Sequence, residues 1–193
     1  MLYSVLGGVA AFLVCALLLR IFIPVLRKVK LGQKILEIGP SWHKSMEGTP
    51  IMGGLFFSIA ITAAAVVFSL LSGALPLRTL LVFGFALLCG LIGFVDDYVK
   101  LFKKTNRGLS PAQKLILQFL VVAAFFVSLS LAGYASTELQ IPFTDIRVDL
   151  GVFYYLLMSI VLVYFINGAN LTDGIDGLAG SVALVIMVFF TIV

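Results

Sequence analysis

Charge is scarce in this chain. Only 11% of its 193 residues are Asp, Glu, Lys or Arg, while 62% are hydrophobic, against about 45–50% in a soluble domain. That balance excludes a soluble globular enzyme and places the chain in a membrane. Histidine is nearly absent: His43 stands alone, so no histidine-based metal cluster can be built from this sequence. The two cysteines, Cys15 and Cys89, fall in separate apolar stretches. They read as buried thiols rather than as a disulfide or a metal site. No GxxxxGK(S/T), GxGxxG, HExxH or CxxC string occurs, which leaves no basis for P-loop nucleotide hydrolysis. Internal repeats and low-complexity segments are also missing.

What is present is a series of apolar runs, at roughly 2–26, 51–72, 80–95, 113–133, 150–166 and 178–193. Each equals or approaches the ~20 residues that cross hydrocarbon as a helix. The runs are continuous rather than alternating, which speaks against a barrel. The sequence therefore predicts an all-α polytopic membrane protein, with six transmembrane helices in a single domain over residues 1–193. The first run lacks a basic leader and carries its cations at the far end, so it reads as a span and not as a cleaved signal. Residues 134–149 are polar with β-branched and aromatic alternation, which suits a small outer-face β-hairpin. The last run has no closing polar residue or cap, which suggests that the polypeptide continues beyond Val193.

Basic residues set the expected orientation. Of thirteen, eleven flank two connecting segments. Arg20, Arg27, Lys28, Lys30, Lys34 and Lys44 surround the first. Lys100, Lys103, Lys104, Arg107 and Lys114 surround the third. Positive segments stay inside, so the N-terminus is expected outside, with cytoplasmic loops at about 27–49, 96–112 and 167–177. The inner side then carries eleven basic and six acidic residues, and the outer side two and three. Besides enforcing topology, this inner excess suits an anionic lipid head or substrate.

Nearly all the polar chemistry lies in those three inner segments. In GFVDDYVKLFKK, Asp96 and Asp97 close an uncharged run from Leu80 to Val95. The run covers about 24 Å of the roughly 30 Å of hydrocarbon. The acids therefore sit at the water boundary, where paired carboxylates can hold a divalent metal or meet a lipid phosphate. Asp96 and Lys100 are i,i+4, and Asp97 and Lys100 are i,i+3. Such a DDxxK unit sets a cation beside two anions. A charged helix end that merely halts translocation accounts for a lone acid, but boundary acids in this pattern point to function.

In NGANLTDGIDGLAG, Asn167, Asn170, Asp173 and Asp176 are interleaved with Gly168, Gly174, Gly177 and Gly180. A cap and a turn explain one Asp and one Gly. Four acid or amide side chains among four glycines point instead to a ligand that approaches the backbone closely, near the free N–H groups of the next helix start. In the first segment, Thr49 and Pro50 have the form of an N-cap and N1 pair opening the second span. Lys44, just upstream, is placed to reach a phosphate bound there. Lys114 reads either as a snorkelling anchor or as a substrate contact.

Together, HKSMEGTPIMGG, FVDDYVKLFKK with GLSPAQK, and NGANLTDGIDGLAG resemble the polyprenyl-phosphate N-acetylhexosamine-1-phosphate transferases in order, spacing and position along the whole chain. DDxxK alone is weak; the GTPxMGG and NLTDGxDGL strings make the match specific. It is nearest to the bacterial branch that uses UDP-MurNAc-pentapeptide. The resemblance implies transfer of phospho-MurNAc-pentapeptide from UDP to undecaprenyl phosphate, giving lipid I and UMP. It also implies a Mg²⁺ requirement, a homodimer, and a bundle of roughly ten helices in the bacterial plasma membrane with its cleft open to the cytoplasm. Asp96 and Asp97 match acids that bind or activate the carrier phosphate, and they are the metal candidates within this chain. Lys100 and Lys114 match basic residues near the diphosphate. Lys44, Gly174, Ile175 and Asp176 match the nucleoside pocket, and Asn170 and Asp173 match polar residues of the same cleft, with Asn167 beside them. Thr49 matches a required residue of the first loop. The family's further metal-binding Asp and its histidine-rich motif would lie after Val193. On that reading the chain is the N-terminal portion of a longer enzyme and is inactive alone.

In the implied reaction, a carrier-phosphate oxygen attacks the β-phosphorus in line with departing UMP. Lysines and the metal offset the approach of two anions. One Asp of the pair takes the carrier's last proton. A covalent Asp–phosphosugar intermediate is the competing account; direct attack is preferred. Three rival functions stand beside this one, among them a non-catalytic membrane subunit, against which the density of Asp, Asn and Gly in the loops speaks. A UDP-GlcNAc-using relative belongs to the same class. An ion-coupled transporter belongs to another, and the clustering of the acids at one membrane face, with none mid-span, speaks against it.

Overall fold

The computed structural model describes residues 2–28, 52–73, 76–103, 108–141, 143–174 and 177–192. Helices α1 (Leu2–Lys28), α2 (Gly53–Leu71), α3 (Leu77–Lys103) and α4 (Pro111–Leu131) come first. Strands β1 (Glu138–Gln140) and β2 (Arg147–Asp149) follow, then α5 (Val152–Thr172) and α6 (Leu178–Ile192). Among the described residues, α1 to α5 are long and apolar enough to cross a membrane. α6 has 15 residues, short of the ~17 that a span needs. The six expected spans are thus five long apolar helices and one shorter one. Large apolar side chains such as Phe12, Leu131, Val152 and Phe190 are exposed along these helices, as suits a surface solvated by lipid.

The chain forms two compact units, Met1–Leu117 and Gln118–Val193. In the first, α1 packs along α2 through small residues and aromatics. A Cβ on Gly7 would lie 3.3 Å from Phe68 Cβ, and Phe22 stacks on Phe56 with ring centroids 4.5 Å apart. Ala60 and Ala64 are buried. Helices that lack a hydrophobic drive to associate in lipid rely on such close approach. The Thr49–Pro50 pair lies outside the described residues, and the described part of α2 begins at Gly53. Its N-cap position is Met52, in the left-handed region at φ 72°, and no side chain caps it. The Gly53–Gly54 pair is the first helical sequence of α2. At the other end, the Ser72 N–H bonds to Phe68 O at 3.0 Å, and Gly73 turns the chain at φ +72°.

The second unit holds the hairpin expected over 134–149. β1 and β2 pair antiparallel, with Glu138 opposite Asp149, Leu139 opposite Val148 and Gln140 opposite Arg147. Two helices run further than the apolar runs foretell. α3 continues past Val95 to Lys103, where Lys100 pairs back along the helix with both Asp96 and Asp97. α5 continues through Asn167 and Asn170 to Thr172. There the Asn167 amide donates to Val163 O at 2.9 Å and the Thr172 hydroxyl to Gly168 O at 2.8 Å, so these polar side chains bond to the helix they sit on.

Candidate active site

The C-terminal end of α3 and the start of α4 build a charged cluster within the first unit. α4 begins with a capping box: the Ser110 N–H donates to Gln113 Oε1 at 2.9 Å, and the Gln113 N–H donates to the Ser110 hydroxyl oxygen at 3.2 Å. Pro111 occupies the first helical position, where its missing N–H costs nothing. One turn later stands Lys114. Its Nζ lies 3.0 Å from Asp96 Oδ2. Lys100 Nζ meets the same oxygen at 2.7 Å and Asp97 Oδ1 at 3.0 Å. The Leu109 N–H donates to Asp96 Oδ1 at 2.8 Å. Two ammonium groups from two helices thus converge on one carboxylate oxygen. Four residues proposed from sequence, Asp96, Asp97, Lys100 and Lys114, share this cluster.

The two acids are not equivalent. The Asp96 side chain is 7% exposed, and three of its roughly four acceptor positions are filled. Asp97 is 29% exposed and engages only Oδ1; its Oδ2 has no partner among the described residues. Removing either lysine would leave Asp96 with one cation and the Leu109 N–H. Asp97 is the carboxylate that can turn to a ligand. The same division bears on Mg²⁺, which is usually held by one or two carboxylates together with substrate phosphates. Asp97 fits as one such ligand. Asp96 does not fit while two lysines hold it. Among the described residues no group of three or more His, Cys, Asp or Glu side chains is placed to hold a metal ion.

A second polar group lies in the second unit. Gln118 of α4 and Asn167 of α5 bond reciprocally: Asn167 Nδ2 donates to Gln118 Oε1 at 2.8 Å, and Gln118 Nε2 donates to Asn167 Oδ1 at 3.4 Å. Gln118 is buried, as are Val122 and Val163, one helical turn from each amide. Interhelical bonds of this kind contribute ~0.6–2 kcal/mol in membranes. Further along α5, Asn170, Asp173 and Gly174 are exposed. The Asp173 N–H closes the helix on Ala169 O at 3.2 Å, and the Gly174 N–H bonds to Leu171 O at 3.3 Å. Lys44, Thr49, Ile175 and Asp176 lie outside the described residues.

Three participants escaped sequence reasoning. Gln118 had a signal, as a lone amide inside an apolar run. The SPAQ string announced the capping box that places Lys114. Gly108 had none: a Cβ there would overlap the Asp96 carboxylate, an encounter visible only once the loop is folded.

Comparison with known proteins bears on this arrangement. The model of glycosyl transferase family 4 matches residues 79–193, which hold both polar groups. Over 183 residues the chain is 39% identical to a phospho-N-acetylmuramoyl-pentapeptide-transferase of Listeria monocytogenes serotype 4b, covering 95% of this chain and 56% of the relative. Similar proteins of the same name occur in Thermoanaerobacter sp. strain X514, at 41% identity over 97% of this chain and 57% of the relative, and in Bacillus cytotoxicus, at 42% over 95% and 56%. The chain spans about half the length of the curated relatives it matches.

Proposed function

The chain belongs to glycosyl transferase family 4, and from that premise we propose that it transfers phospho-MurNAc-pentapeptide from UDP-MurNAc-pentapeptide to undecaprenyl phosphate. The products are lipid I and UMP. The observation that carries this reading is the meeting of Lys100 and Lys114 on Asp96, with Asp97 left open beside them. A site that joins two phosphorylated substrates must offset like charge, and paired lysines at the end of an apolar span do that where a lipid phosphate sits.

In the proposed chemistry, an oxygen of the carrier phosphate forms a bond to the β-phosphorus of the donor. The bond from that phosphorus to the α–β bridging oxygen breaks, and UMP leaves with the electron pair. Asp97 accepts the carrier's last proton through its open oxygen. Lys100 and Lys114 hold the phosphates in line, and Asp96 holds the lysines. A bound Mg²⁺ would neutralise charge on the diphosphate, with Asp97 as one ligand. Lys44, Thr49, Asn170, Asp173, Gly174, Ile175 and Asp176 are each proposed as nucleotide contacts, with Asn167 beside Asn170 on α5. The site faces the cytoplasm of a bacterial plasma membrane, in a homodimer of roughly ten-helix bundles. The relatives' names support the MurNAc donor over a GlcNAc donor.

Asp97→Asn in the full-length polypeptide is expected to lower UMP release at least about 100-fold and to leave UMP binding within about twofold of wild type. Radiolabelled UMP release and calorimetry read the two quantities. Full turnover in that variant removes the assignment.

A further inference from the structure

The amide pair between α4 and α5 does something that no ligand contact requires. Asn167 has two amide hydrogens. One goes to Gln118 Oε1 at 2.8 Å and the other to Val163 O at 2.9 Å. Its donors are therefore spent inside the protein. Gln118 is 5% exposed and reaches no other described partner. Val122 and Val163, one turn from each amide, are buried, and Phe126 of α4 meets Tyr155 of α5 edge-on with ring centroids 5.4 Å apart. Apolar contact in lipid leaves a helix free to slide and rotate, because lipid tails solvate the same surface equally well. A reciprocal amide pair does not, since each group has one geometry and no water replaces a lost partner.

Asn170 and Asp173 follow Asn167 by three and six residues and are exposed at the end of the same helix. At ~100° per residue the three lie within about 120° of arc on α5. We propose that Gln118 and Asn167 are positioning residues: they fix the depth and rotation of the end of α5, and so present Asn170 and Asp173 to the nucleotide. This rests on the nucleotide site proposed above. Asn167 then acts through its helix and not by touching substrate, and Gln118 joins the functional set.

The test uses the full-length protein in lipid nanodiscs, with UMP as the probe and thermal unfolding measured alongside. Gln118→Leu and Asn167→Leu are each expected to raise the UMP dissociation constant about tenfold. The double substitution should do no more than either alone, since both remove one shared pair. Exchanging the partners, as Gln118→Asn with Asn167→Gln, should bring the constant back within about threefold. If the Leu variants do not fold, Gln118→Asn alone carries the same expectation at a several-fold rise. Variants that unfold at lower temperature yet bind UMP as wild type does would overturn the inference and leave the proposed function standing. A wild-type protein that does not bind UMP would overturn both.

Discussion

At the scale of single residues, the Asp96–Asp97 pair shows what spacing can and cannot say. The DDxxK string placed both carboxylates within reach of Lys100, and both pairs form. It did not say which acid is buried. That depends on Lys114 and the Leu109 N–H, which come from a different helix and its approach. Gly108 is the sharpest case. Gly108→Ala forces the Asp96 carboxylate out of its place and opens its bonds to Leu109, Lys100 and Lys114. Overpacking of this kind costs ~1–3 kcal/mol, and a displacement of ~1 Å at the phosphate lysines is expected to cost about 100-fold in UMP release. Activity and unfolding temperature measured on one preparation separate the two effects. A fully active Gly108→Ala would show that Asp96 has room the structure does not give it.

At the scale of elements, the long apolar runs gave reliable helices, and their polar ends did not give reliable boundaries. In α3 and α5 the terminal Asp, Asn and Thr side chains find partners on their own helix; a reading that equates polarity with loops stops too soon. The hairpin was legible from alternation, and its fastening was not. The Thr137 hydroxyl and the Gly151 N–H both donate to Asp149, and they hold its carboxyl below the usual carboxylate range. A lowered folded value means that this support is present above the ordinary pKa of ~3.9 and disappears as pH falls through the lower folded value. Amide exchange over residues 134–150, corrected for intrinsic rate, should therefore accelerate as pH drops below about 4. In Asp149→Asn that acid-induced step should vanish. An identical step in both proteins would assign it to another group.

For the molecule as a whole, the membrane class and the helical architecture followed directly from 62% hydrophobic content and continuous apolar runs. Orientation rests on the lysine and arginine bias. It is checked with Lys103→Cys and Asp145→Cys, each made after Cys15→Ala and Cys89→Ala. An impermeant maleimide should label position 145 in intact cells and position 103 only after permeabilisation. The reverse pattern would put the charged cluster on the outer side and end the case for a cytoplasmic nucleotide donor. The candidate site was legible in part, because DDxxK and the Asn–Asp–Gly string are local. The contacts that fix it, from Lys114 to Asp96 and from Gln118 to Asn167, join residues that only tertiary packing brings together.

The bond between Asp96 and Lys114 closes within the α3–α4 hairpin, and that has a bearing on biogenesis. Closure cost grows only slowly with loop length, and both partners of this bond belong to one helical hairpin, so the acid needs only the start of α4 to be covered. The α3–α4 hairpin thus neutralises this corner by itself, and no later helix is needed to shield the acid.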